Sequence, residues 1–91
     1  MSSIDIQRSH NLGLERARAV TNGVAEAMAR KFGIDCAWEG DAMRIKRAGM
    51  DGRIEVATDS VRVRAQLGLM LGAFKSRIEE EIRHQLDEHF R

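Results

Sequence analysis

The stretch "AMRIKRAGMDGRIEVATDSVRVRAQL", Ala42 to Leu67, decides the fold. Within it "AMRIKRA", "RIEVAT" and "VRVRAQL" alternate apolar and polar residues, the period of a strand with one buried face. "GMDG" (Gly49 to Gly52) and Asp59-Ser60 separate these segments and read as turns. Connections this short join antiparallel neighbours only. Just upstream, "DCAWE" (Asp35 to Glu39) alternates in the same way, and Gly40-Asp41 turns it into Ala42. The middle of the chain is therefore four strands in a row.

Turn length predicts register. A two-residue Gly40-Asp41 turn pairs Glu39 with Ala42, hence Trp38 with Met43, Cys36 with Ile45 and Asp35 with Lys46. A four-residue "GMDG" loop pairs Ala48 with Arg53, hence Lys46 with Glu55. An Asp59-Ser60 turn pairs Thr58 with Val61, hence Glu55 with Arg64. The inner face then shows the rows Trp38-Met43-Thr58-Val61 and Cys36-Ile45-Val56-Val63. The outer face shows Asp35-Lys46-Glu55-Arg64, alternating in sign. Opposite charges across a ladder are favourable by about 0.2–1 kcal/mol.

Outward from the centre, Ile4 and Ile6 alternate with Asp5 and Gln7, a short first strand. From Leu12 to Phe32 the positions Leu14, Ala17, Val20, Val24, Ala27, Met28 and Phe32 keep a helical period. Ser9 or Asn11 suits its N-cap, Gly33 its stop, and Glu26 and Arg30 form an i,i+4 pair. A second helix, from about Leu67 to Arg91, carries Leu67, Leu71, Phe74, Ile78, Ile82, Leu86 and Phe90 on one stripe. The order β-α-β-β-β-β-α makes residues 1–91 a single α+β domain, an antiparallel sheet with two helices packed on one face. Pairing the first strand with the fifth gives the strand order 2-3-4-5-1.

Composition narrows the function classes. Fifteen Lys+Arg against fourteen Asp+Glu give a net charge of +1, no global field for nucleic acid or an anionic membrane. A single cysteine, Cys36, excludes an internal disulfide and suits the cytoplasm. "MSSIDIQRSH" does not read as a signal peptide. The apolar run "LGLMLGAF" (Leu67 to Phe74) is far short of the ~20 residues that span a bilayer.

Motifs for chemistry are few. Cys36 falls on the inner-face parity beside Trp38 and reads as a packed thiol. His84 and His89 are five apart, off one helical face, so no metal site is expected; Glu80 is the better partner for His84. His10 suits a local cap or hydrogen bond and has no visible catalytic partner. With no P-loop, dinucleotide fingerprint, CxxC pair or nucleophile elbow, neither an enzyme nor a cofactor is expected. On the outer face, carboxylates neighbour part of the set Arg44, Lys46, Arg53, Arg62 and Arg64, and no aromatic stacks a base, which argues against nucleic acid. Only the row Ala37-Arg44-Ala57-Arg62 leaves Arg44 and Arg62 beside small residues, a candidate weak anion site.

Three segments carry a family resemblance: "IDIQRSHNLGLERARA", "WEGDAMRIKRAGMDGRIEV" and "VRVRAQLGLMLGAFKSRIEEEI". Their recognisable points are Arg8, His10, Leu12 and Gly13; Trp38, Gly40 and Asp41; Gly52; and Leu67, Gly68, Leu71 and Gly72. From Ile4 to Ile82 the chain resembles the polyhydroxyalkanoic acid system proteins, small bacterial proteins encoded in polyhydroxyalkanoate granule-associated regions. The resemblance implies a process, polyester storage, and carries no catalytic or ligand-binding residues with it.

Two functions fit such a chain. One is a non-enzymatic interaction module that is granule-associated, its partners granule proteins, the granule surface or a second copy. The other is a carrier of an acyl or hydrophobic ligand, with the last helix gripped by a curved sheet, an analogy of layout. In "LGLMLGAF" the stripe takes Leu67, Met70, Leu71 and Phe74 for the core, while Gly68 and Gly72 permit close backbone approach. Leu69 points about 180° from Ile78: a loop or the first helix covers it, or the helix starts later, or it is the candidate partner surface.

Overall fold

In the computed structural model, which describes residues 2–90, the alternating segments form one five-stranded antiparallel sheet. The strands are β1 (Ser2–Ser9), β2 (Asp35–Glu39), β3 (Ala42–Arg47), β4 (Met50–Val56) and β5 (Ser60–Leu67). Their order is β1-β5-β4-β3-β2, as the sequence predicts. α1 (Leu14–Phe32) connects β1 to β2, and α2 (Leu69–Gly72) and α3 (Lys75–His89) follow β5. The fold is α+β. Arg91, the end of the expected last helix, lies outside the described residues.

The helices cover one face of the sheet. Ala17, Val24, Ala27 and Met28 of α1 are buried, as are Ile78, Ile82 and Leu86 of α3 and the following Phe90. They pack on Ile4, Ile6, Ile45, Ile54, Val61, Val63 and Leu67 from the sheet. Each such side chain contributes about 1.5–3 kcal/mol on burial. Thr21, fully buried, donates its hydroxyl to the Ala17 carbonyl at 2.7 Å, so no polar group is stranded in the helix interface. Gly33 ends α1 in the left-handed conformation with φ 64°, as expected; the N-cap is Gly13, in place of Ser9 or Asn11.

Register follows expectation in the first hairpin and departs from it in the next two. Asp35 pairs Lys46 and Cys36 pairs Ile45, as the Gly40-Asp41 turn dictates. The turn between β3 and β4, however, is Ala48-Gly49, with Arg47 opposite Met50 and Lys46 opposite Asp51. Gly49, at φ 84°, supplies the one left-handed residue this tight turn needs. The reason is Met50. A four-residue loop would leave it in solvent, whereas here it is 3% exposed beneath the helices. The β4–β5 connection is correspondingly longer than Asp59-Ser60: Val56 pairs Val61, and the Ala57 N–H donates to the Ser60 carbonyl at 2.9 Å. Both shifts are even in number, so residues that stay in the strands keep their predicted face while their cross-strand neighbours change; Thr58, expected on the inner face, instead falls in the exposed β4–β5 connection. The expected row Asp35-Lys46-Glu55-Arg64 is replaced by Asp35-Lys46-Asp51-Gln66.

The expected second helix is also divided. Leu67 belongs to β5, α2 is a single turn, and α3 begins at Lys75. At the joint, Phe74 N–H donates to Leu71 O at 2.9 Å before the regular ladder starts with Ile78 to Phe74. The sheet takes Leu67 because it completes a row with Ser2 and Met50, and the stripe loses its first member.

Gly52 is the tightest point of the sheet. A Cβ there would lie 2.4 Å from the Arg64 carbonyl oxygen and 2.8 Å from Ala65 Cα, so only glycine lets β4 approach β5 this closely. Gly52→Ala is therefore expected to lose at least about 2 kcal/mol in urea unfolding. In a "GMDG" loop the same change would alter stability by less than about 0.5 kcal/mol, and that result would refute the observed register.

Candidate interaction surface

Charge pairing and apolar exposure separate onto different parts of the molecule. On the outer face of the sheet, Arg62 holds Asp5 through two hydrogen bonds, Nε to Oδ1 at 2.8 Å and Nη2 to Oδ2 at 2.6 Å. This contact keeps the Asp5 carboxyl below its ordinary value and raises the Arg62 guanidinium. Arg64 Nε lies 3.1 Å from Glu55, and Arg44 lies 3.6 Å from Glu39 and 3.8 Å from Asp51. Arg44 and Arg62 are not brought together: Arg44 stands opposite Arg53, and Arg62 opposite Glu55 and Gln7. The row Ala37-Arg44-Ala57-Arg62 disappears with the register that implied it.

His10 is structural in its contacts. It is 8% exposed, its ring is 5.5 Å from that of Phe90, and both ring nitrogens are used. Nδ1 accepts the Leu12 N–H at 3.2 Å, and Nε2 therefore donates to Ala57 O at 3.1 Å. Its own N–H donates to Asp59 O at 2.9 Å. The residue fastens the end of β1 to the β4–β5 loop. Beside it, Arg8 donates to the Phe90 carbonyl at 3.0 Å and pairs with Asp87, tying β1 to the end of α3.

Cys36 is half-buried on the inner face, as its parity predicts, with Sγ 3.9 Å from Ala25 O. Burial first, and Asp35 second, push its thiol up. Alkylation of native protein at pH 8 should accordingly run slower than that of the urea-unfolded chain; equal rates would place Cys36 on the open face. Trp38 also takes the inner parity but lies at the rim, its Nε1 donating to Asn22 Oδ1 at 2.9 Å and the Arg18 guanidinium 4.1 Å over its ring. Among the described residues no group of His, Cys, Asp and Glu could hold a metal ion. His89 instead bonds through Nδ1 to Gln85 O at 2.9 Å.

The apolar surface is at α2. Leu69 is 91% exposed, covered neither by a loop nor by α1, and Met70 at 85% and Phe74 at 50% join it, contrary to their place on the expected core stripe. Once Leu67 is drawn into β5, the chain turns at the end of the sheet, and the first helical turn keeps only Leu71 packed against the core. Next to this knob runs a groove of about 350 Å³ between the end of α1 and the start of α3. Phe32, Leu71, Phe74 and Ile78 form its walls, with Lys31, Arg77 and Glu81 at the rim. A signal for Met70 was present in the sequence, since Gly68 and Gly72 bracket it and weaken the helix there; Phe74, beyond Gly72, had none.

At that rim Lys31 Nζ is 2.6 Å from Glu81 Oε1, and Gln85 donates to the same oxygen at 3.0 Å. The lysine first, then the glutamine, lower the Glu81 carboxyl below its ordinary 4.5. A lowered carboxylate stabilises the fold above its unfolded-state value and loses that effect as pH falls through the folded-state value. Glu81→Gln should therefore be less stable than the parent at pH 7, with the gap shrinking below about pH 4.5 until the two melts coincide. A gap that persists at pH 2 would mean that packing, not charge, separates them.

These features define a class: an α+β domain with a tightly packed interior, a charged sheet face and one apolar corner. A family model described as "Putative polyhydroxyalkanoic acid system protein" matches residues 4–90, and the chain belongs to that family. The match extends past the segments that carry the resemblance, through α3 to Phe90. No curated protein and no solved structure matches the chain. No helix among the described residues is long and apolar enough to cross a membrane.

Proposed function

We propose that this protein is a non-enzymatic interaction module of bacterial polyester storage, cytoplasmic and granule-associated, which docks through the α2 corner on the granule surface or its coat proteins. The observation that carries this reading is the exposure of Leu69, Met70 and Phe74 together at one turn of the chain. Scattered exposed leucines are ordinary, but three large apolar side chains beside an apolar groove form a contiguous patch of the kind that marks interaction sites. Burying each against a hydrophobic partner gains about 1.5–3 kcal/mol before the cost of immobilisation. Membership of the polyhydroxyalkanoic acid system family supports the choice of process.

The carrier reading is less well supported. A helix-grip carrier needs a cavity between sheet and helices, and that space is occupied by Ile4, Ile45, Leu67, Ile82, Leu86, Val24, Val61 and Val63, all under 2% exposed. The groove beside α2 lies outside this interior, between the helices at their ends.

Co-sedimentation with purified polyester granules tests the proposal. The double variant Leu69→Glu, Met70→Glu should keep the parental melt within about 0.5 kcal/mol, because both side chains already face water, and should lose granule binding at least tenfold. A double variant that folds normally and still sediments with granules would remove α2 as the docking element.

A further inference from the structure

We infer that the outer face of the sheet holds an anion site centred on Arg53, with Arg44 and Arg64 on either side, for a compact dianion of the phosphate class. The site does not depend on the docking role of α2. It follows from the observed register, in which Arg53 stands directly opposite Arg44 on β3 and directly opposite Arg64 on β5. Three guanidinium side chains thus lie abreast across the centre of the sheet. Like charges directly opposite one another destabilise a ladder, so the fold carries this row at a cost.

The surrounding carboxylates relieve it only in part. Arg62 engages both oxygens of Asp5, Arg64 has Glu55 at 3.1 Å, and Arg44 has Glu39 and Asp51 at 3.6 and 3.8 Å. Arg53 has no ion pair among the described residues. The central cation of the row is the one left without a counter-charge.

The three arginines border a shallow depression of about 580 Å³, where Ser3 and Gln66 add neutral polar groups. Asp5 and Asp51 also line it. Asp5 is already committed to Arg62, and Asp51 is held only at 3.8 Å, a contact that a bidentate anion outcompetes. Side chains on adjacent strands are about 5 Å apart, so a tetrahedral oxyanion over Arg53 can present separate oxygens to two or three guanidinium forks. A carboxylate has oxygens for one fork. An extended polyanion fits poorly: Asp35, Glu39, Asp51 and Glu55 share the face, and no aromatic residue there stacks a base.

Thermal melts of the full chain test the site, in inorganic phosphate against potassium chloride at equal ionic strength. At about five times its dissociation constant, phosphate should raise the melting temperature by about 4–8 °C, and acetate should not. Arg53→Gln should abolish this rise while melting in chloride at or above the parental temperature, since it removes a like-charge conflict. Lys46→Gln, which removes a cation of the same face outside the row, should keep the full response. An equal rise with glycerol 3-phosphate identifies a phosphomonoester site, and a rise with inorganic phosphate alone identifies the free ion. The inference is overturned if phosphate acts no more strongly than chloride, if Arg53→Gln still responds, or if that variant melts below the parent in chloride. Greater stabilisation by a single-stranded oligonucleotide than by phosphate, lost in Arg53→Gln, would overturn it in favour of a nucleic-acid surface.

Discussion

The pairing of β1 with β5 is the constraint on which the remaining structure depends. It joins Ser2 to Leu67 and Ser9 to Ser60, pairs with α1 and three strands of chain between them. Once β1 is fixed at one edge, β2 must start at the other, four strand spacings or about 19 Å away. α1, at 19 residues, is about 28 Å long and crosses that width obliquely. A helix obliged to cross the whole sheet must bury a continuous stripe, which Ala17, Val24, Ala27 and Met28 provide. α3 then fills the remaining half of the same face, held to β1 by Arg8 through Asp87 and the Phe90 carbonyl. His10 completes the closure by tying the end of β1 to the loop that precedes β5. A histidine with both nitrogens engaged, beside an arginine–carboxylate pair, thus fastens β1 to the β4–β5 connection and to the end of α3.

Face assignments were legible in the sequence because they depend only on parity. Cys36, Ile45, Ile54 and Val63 lie inward and Lys46, Glu55 and Arg64 outward under either register. Neighbours were less legible, because they depend on where a turn begins. "AGMDG" holds two glycines, and local turn chemistry cannot choose between Gly49 and Gly52 as the residue that turns. The choice is tertiary. Met50 has somewhere to go once the helices are in place, and Gly52 is then needed for the close approach of β4 to β5. The arginine row was hidden by the same step, since a shift of β4 against β3 exchanges Glu55 for Asp51 opposite Lys46 and puts Arg53 opposite Arg44.

The apolar corner was half legible. A helical wheel assumes that a helix exists, and on that assumption only Leu69 was without an inner face. What the wheel cannot include is competition from the preceding strand. β5 gains a full row by extending to Leu67, and α2, a single turn long, has too little propagation to resist. Met70 and Phe74 then follow Leu69 outward. A run of eight uncharged residues was needed to do three unlike things: finish a strand, turn a corner and present a surface.

The two unpartnered features are placed so that neither obstructs the other. The α2 corner sits where β1 starts and β5 ends, beside the Ser2–Leu67 pair. The arginine row lies on the opposite face of the sheet, level with Asp5 and Arg64, three residues or about 10 Å along the strands. Side chains on α2 and on the outer face therefore project from different sides of the same sheet end. A contact made at α2 leaves the outer face in water, where Arg44, Arg53 and Arg64 stay exposed. That separation also explains how the sheet tolerates its like-charge row. Screened by solvent on an open face, the repulsion among Arg44, Arg53 and Arg64 costs far less than it would beneath a second layer of structure. An outer face left uncovered is thus a condition of the row, and the helices all packing on the other side is what leaves it so.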